Sequence, residues 1–241
     1  MQPPFCTLTH LLLRNYKRAD YIARRTAQAA YRKKVLNISQ QDIDDYINKI
    51  TGGLGYLGKP GKDDYRVITL GCYIAWAKAS LSAEQILEIG TGLGRTHYCI
   101  RYVNKNAAIH SIEVDPIILG IALYRNPYHY FAESLRDKNT FIFLNDATIV
   151  TKILLRNKEK YHHIVHDGGP NPKKNMRLYS YGFLNTLYKL LDYEGTISVF
   201  AGKNPEYIRH IYRTMEKIGF KKLETITPPG IPVRIIRGKK H

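Results

Sequence analysis

The chain has 241 residues, 44% of them hydrophobic, which suits one large folded unit or a unit with an appendage. No apolar run approaches the ~20 residues of a membrane-spanning helix, no signal peptide is legible, and Cys6, Cys72 and Cys99 lack any C-x-x-C spacing. The sequence therefore predicts no membrane association, no metal centre and a reducing, cytoplasmic setting, while 37 Lys and Arg against 20 Asp and Glu give +17 and favour a polyanionic partner.

Residues 14–34 hold eight basic side chains and one acid, Asp20, with Ala19, Ile22, Ala23, Thr26, Ala27, Ala30 and Tyr31 at helical spacing. This predicts an amphipathic helix with a basic outer face. Ser39 and Asp42 have capping-box spacing, so a second helix should start at Ser39 and run to about Ile50. Five glycines and one proline in 51–64 predict a loop, either a lid or a plain linker, closing an N-terminal helical extension over 1–65. The main domain, 66–241, should open on a helix over 66–80.

From position 85 onward apolar strand-like runs alternate with helical stretches: 86–89, 108–113, 140–144, 162–166 and 196–200. Such alternation implies a doubly wound α/β fold with a parallel sheet. After a helix ending near Ile218, runs 220–226 and 233–237 are separated only by 227–232, too short for a parallel crossover. The expectation is a seven-stranded, mostly parallel sheet whose last strand is antiparallel.

The first chemical signal is Glu88-Ile89-Gly90-Thr91-Gly92-Leu93-Gly94, ending a strand and preceding a helix. Glycines there let the backbone approach a ligand, but Arg95 stands where a dinucleotide fingerprint would have its third glycine. A carboxylate at position 88 suits a cationic ligand and opposes a pyrophosphate. This segment resembles motif I of the class I S-adenosylmethionine-dependent methyltransferases, and the resemblance implies a loop around the methionine part of that cofactor. Glu113, at the end of the second strand, then matches the family's ribose-binding acid, with Asp115 left to cap the helix after Pro116. Asp146-Ala147 resembles the segment that meets the adenine, although a lone Asp there can equally cap a helix.

The fourth strand ends in His166-Asp167-Gly168-Gly169-Pro170-Asn171, where methyl acceptors bind in this family; Asp167 is the catalytic candidate, able to orient an amino group or take its proton. The chain from 86 to 220 is similar to a group of archaeal predicted methyltransferases through its His-Asp strand end, Asn126-Pro127 and Leu178-Tyr179-Ser180. It departs from that group where a Pro-Pro-Arg-Phe would follow the Asp. The spacing of Asp167, Pro172, Lys174-Asn175 and Tyr179 resembles the methyltransferases that finish 5-methylaminomethyl-uridine in tRNA. His166, Lys173, Lys174, Arg177 and Tyr179 are the substrate-side candidates that follow.

The expected activity is S-adenosylmethionine-dependent methylation of RNA, tRNA and a nitrogen acceptor favoured, with Lys173, Lys174, Arg177 and the basic face of 14–34 holding phosphates. Four alternatives compete with it. Ribose 2′-O-methylation is disfavoured because 196–200 contains no Lys and 233–237 no acid. Aminopropyl transfer, on the same fold, calls for an acidic entrance to admit a polycation. A small-molecule methyltransferase and an inactive RNA-binding scaffold are the other two, and the early third glycine sets an NAD-dependent oxidoreductase below them all.

Overall fold

The computed structural model describes residues 5–51, 64–169 and 172–241. The loop predicted over 51–64 falls almost entirely outside the described residues. Helices α1 (Phe5–Leu12), α2 (Tyr16–Lys34) and α3 (Gln40–Thr51) precede it, and α4 (Asp64–Ala75) and α5 (Ala77–Leu81) follow. Ser39 caps α3 as its spacing predicts: the Asp42 N–H donates to Ser39 Oγ at 3.1 Å, while the Asp42 carboxylate takes the Ser39 hydroxyl at 2.6 Å, where a full capping box would bond the Ser39 N–H. The helix expected over 66–80 is broken at Trp76, whose φ of +48° leaves the right-handed region.

Strands β1 (Gln85–Ile89), β2 (Ala108–Glu113), β3 (Thr140–Leu144), β4 (Tyr161–His166), β5 (Leu191–Gly202), β6 (Lys221–Ile226) and β7 (Arg234–Lys239) form one sheet in the order β3-β2-β1-β4-β5-β7-β6. The first five pair in parallel, and β7 runs antiparallel between β5 and β6. The intervening helices are α6 (Arg95–Val103), α7 (Pro116–Tyr124), α8 (His129–Leu135), α9 (Ala147–Arg156), α10 (Tyr181–Leu190) and α11 (Pro205–Ile218). A 3₁₀ segment, Pro172–Tyr179, leads from β4 into α10. Because β1 leads to β2 on one side and pairs with β4 on the other, the order reverses between β1 and β4, and a crevice opens at their carboxyl ends.

Period-two alternation sorts the core. Leu87, Ile89, Ile112, Ile164 and Val199 pack beneath α9, α10 and α11, whereas Ile86, Ile109, Val165 and Phe200 face α4 and α6. The N-terminal helices share this core. Ala19, Ala23 and Ala27 of α2 are fully buried, and a Cβ at Gly120 of α7 would stand 2.8 Å from the Ala27 carbonyl, so the two helices touch backbone to backbone. Asp20 of α2 accepts the Ile142 N–H of the edge strand β3 at 2.9 Å and pairs with Arg24, which donates to the Leu135 carbonyl. The expected basic outer face is thus partly spent on structure, since Arg14 also donates to the Asn157 carbonyl. Among the described residues no helix is long and apolar enough to cross a membrane.

Candidate active site

The crevice is a cavity of about 780 Å³. The glycine loop, Glu113 to Asp115, Asn145 to Ala147, Asp167 to Gly169 and the stretch from Lys173 to Leu178 line it, with Ile50 of α3 and Leu70 of α4 closing one side. The loop is shaped by close approach. Gly90 has φ +92°, and a Cβ on it would lie 2.5 Å from the Asp167 carbonyl oxygen, so only glycine fits between the ends of β1 and β4. At Gly92, φ +52°, a Cβ would meet no atom within 4 Å. Both the Gly90 and Thr91 N–H groups donate to the Ile112 carbonyl.

Glu113 is only 7% exposed and faces this loop. Its Oε2 accepts the Gly92 N–H at 2.9 Å, and its Oε1 accepts the Val114 and Asp115 N–H groups at 2.8 and 2.9 Å. Burial raises its pKa above the ordinary carboxylate value, with those three N–H groups pulling the other way. Asp115 caps α7 through Oδ1, as its spacing predicts, and its Oδ2 accepts the Tyr46 hydroxyl of α3, which fastens the N-terminal helices to the cavity rim.

Asp146 caps α9 through the Thr148 N–H and hydroxyl, and its Oδ2 pairs with Arg177 across the cavity mouth. Burial works against its ionisation, but Thr148 and Arg177 outweigh it and hold the carboxyl below its ordinary value. Ala147 lines the cavity beside it. Arg177 is therefore engaged by a carboxylate, while Lys173 and Lys174 are exposed on the same wall.

Asp167 reaches the cavity with Oδ2 accepting from Arg95 Nη2 at 2.9 Å and Thr96 Oγ1 at 2.8 Å. Sequence reasoning missed these two partners. The signal was present as the Arg at position 95 that breaks the dinucleotide fingerprint: it begins α6, whose first turn faces the end of β4.

Four expectations about direct ligand contact are corrected by the geometry. Glu88 lies on the face of β1 opposite Leu87 and Ile89, so its buried carboxylate turns beneath α6, away from the cavity. There it accepts from His97 Nδ1 at 2.9 Å and from Ser111 Oγ at 2.6 Å, and Ser111 bonds Thr91 in turn, so Glu88 reaches the loop through a relay. Gly94, φ +88°, begins α6 where a Cβ would come within 2.9 Å of Leu135; it serves helix packing. His166 is buried, stacks on Tyr179 with centroids 4.7 Å apart, and bonds the Leu178 carbonyl through Nε2 at 2.8 Å. Both rings therefore anchor the 3₁₀ segment from behind, and neither Tyr179 nor His166 lines the cavity.

Among the described residues no group of three His, Cys, Asp or Glu side chains is placed to hold a metal ion. No protein-family model matches the chain. A Methanocaldococcus jannaschii protein of uncharacterised function, MJ0670, is 26% identical over 140 residues, 52% of this chain and 39% of that protein. A spermidine synthase in complex with the transition-state analogue AdoDATO superimposes with a TM-score of 0.59 at 17% identity, over 74% of this chain and 61% of its own. Human methyltransferase-like protein 13 in complex with SAH gives 0.54 at 16% identity, over 73% of this chain and 80% of its own. The chain thus spans less than two thirds of the archaeal relative and of the spermidine synthase. With its strand order and single antiparallel strand, it has the α/β fold that S-adenosylmethionine-dependent methyltransferases and spermidine synthase share.

Proposed function

We propose that the protein is an S-adenosylmethionine-dependent methyltransferase acting on RNA, with tRNA and a nitrogen acceptor favoured. The observation that carries the cofactor assignment is the pairing of Glu113 with the Gly92 N–H at the edge of a cavity of about 780 Å³. A carboxylate fixed by three backbone N–H groups retains acceptor capacity for the hydroxyls of a ribose. Gly92 offers open space for the methionine end, and Asp146 with Ala147 lies where an adenine would complete the ligand. The cavity falls within the size range of cofactor sites, roughly 300–1,000 Å³. Bound there, S-adenosylmethionine would supply a methyl group on a positively charged sulfur.

Asp167 faces the acceptor. Held by Arg95 and Thr96, it can accept a hydrogen bond from an amino group and so direct the nitrogen lone pair. Lys173 and Lys174 place positive charge on the acceptor wall, which attracts a phosphodiester and repels a polyamine. The likeness to spermidine synthase makes aminopropyl transfer the second reading. Calorimetric titration with S-adenosylmethionine and its decarboxylated form separates the two. Tight binding of the intact cofactor, weakened roughly tenfold or more in Glu113→Gln because an amide NH₂ then opposes the Gly92 N–H, is the expected result. Preference for the decarboxylated form would move the assignment to aminopropyl transfer, and binding of neither would leave a basic scaffold.

A further inference from the structure

A second cavity, about 500 Å³, lies outside the proposed cofactor site between α11 and the start of α10. Arg209, His210, Arg213 and Lys217 line it along one face of α11, opposite Tyr181; a single acid, Glu206, joins them. Their spacing at three and four residues puts them on one side of the helix, while Ile211 and Met215 on the other side are buried in the core. Among the described residues Arg209, Arg213 and Lys217 take part in none of the ion pairs, which lie elsewhere on the molecule. Three exposed cations on one ridge repel one another, and a ligand of opposite sign lying along them would relieve that repulsion.

Tyr181 supplies the second element. It is 47% exposed, and Lys217 Nζ stands 5.8 Å from its ring centroid, so the ring offers an aromatic surface beside a cation. An aromatic face beside a positively charged groove is the combination that holds a single nucleic-acid strand, bases stacking while cations follow the backbone. The groove is also joined to the proposed active site. Tyr181 opens α10 after Ser180, the single residue that separates it from the 3₁₀ segment Pro172–Tyr179; α11 packs against that segment, whose Lys173 and Lys174 wall the first cavity.

We propose that this groove is the track for the RNA strand: Arg209, Arg213 and Lys217 hold successive phosphates and Tyr181 stacks a base, leading the target nucleotide over the 3₁₀ segment to Asp167. The assignment rests on the RNA methyltransferase reading and adds to it where the substrate lies. It moves the main phosphate contacts from α2, beside β3, to the β5 side of the sheet.

The test is binding of a fluorescently labelled, unmodified tRNA transcript at several salt concentrations. Three proteins are compared: the wild type, the triple variant Arg209→Gln, Arg213→Gln, Lys217→Gln, and a control of equal charge, Lys105→Gln, Lys138→Gln, Lys158→Gln. The control residues are exposed in the loops that enter β2, β3 and β4, at the far end of the strands from the cavity. The groove variant should bind roughly tenfold or more weakly, its log–log salt slope reduced by about 2, with the control unchanged. Cofactor affinity by calorimetry should match the wild type in both variants; if the triple variant loses it, Arg213→Gln alone is the variant compared. Wild-type affinity in the groove variant, or equal losses in groove variant and control, would overturn the groove while leaving the RNA reading in place. A wild type that binds cofactor but no transcript would overturn the RNA reading and the groove with it.

Discussion

Gly90 and Gly92 stand two residues apart in one loop and answer to different constraints. Adding a methyl at Gly90 drives it into the Asp167 carbonyl at 2.5 Å, in a backbone conformation that L side chains rarely adopt. Gly90→Ala should cost on the order of 2 kcal/mol or more of folding stability and separate the ends of β1 and β4. The same change at Gly92 meets open cavity, so Gly92→Ala should cost only about 1 kcal/mol while placing its methyl where a ligand belongs. Thermal melts beside cofactor titrations check the contrast: Gly90→Ala should lose both stability and binding, Gly92→Ala chiefly binding. Equal melting temperatures for the two variants would contradict the backbone contact at Gly90. The motif itself was readable in the sequence, since three glycines after an apolar strand specify a tight turn. What the motif could not carry was direction. Glu88 looks like a ligand residue until the strand's alternation is referred to its neighbours, which turn it toward His97.

Elements whose order follows from local pattern were legible, and those set by distant partners were not. The five parallel strands and the closing antiparallel strand follow from apolar runs and from the length of the 227–232 connection. The break at Trp76 has no local signal, because a left-handed residue of that kind is imposed by the packing around it. The role of α2 was equally hidden. Its basic residues suggested a surface for anions, yet its one acid, Asp20, holds the edge of the sheet: the carboxylate accepts the Ile142 N–H of β3 and orients Arg24 toward the Leu135 carbonyl. Asp20→Ala should therefore cost about 2–3 kcal/mol, because it leaves a strand N–H and a half-buried guanidinium without their partner. Asp20→Asn keeps an acceptor for Ile142 and should cost about half as much. Urea unfolding would read both values, and an Asp20→Ala protein as stable as the wild type would mean that α2 rests on the sheet without bracing it.

Over the whole molecule, the fold buries four imidazoles, and besides His97, which pairs with Glu88, three of them link separate parts of the structure. His110 on β2 packs among Tyr16 of α2, Phe143 and Tyr161; His163 on β4 bonds Ala75 at the end of α4 and Thr196 on β5; His166 holds the 3₁₀ segment. Burial lowers all three pKa values, those of His110 and His163 to about 4. A base whose pKa is depressed on folding binds its proton more readily in the unfolded chain. Stability is then complete above the unfolded value of 6.5 and falls as the pH drops toward about 4. With three such groups the slope reaches at most about 4 kcal/mol per pH unit within that window. Glu113 has the opposite sign: its raised pKa lets the folded state take up a proton first, so its contribution grows as pH falls and reduces the net slope. A chain already at +17 gains further positive charge on unfolding in acid, which adds repulsion but does not reverse the direction. Urea unfolding between pH 8 and 5 should show a plateau and then a decline below about 6.5, and His163→Gln should remove about one proton from that decline, some 1.4 kcal/mol per unit. Stability that stays flat across the window would mean that the three rings are not held neutral by the fold, and that the links they make between α4, the sheet and the cavity wall are looser than their burial implies.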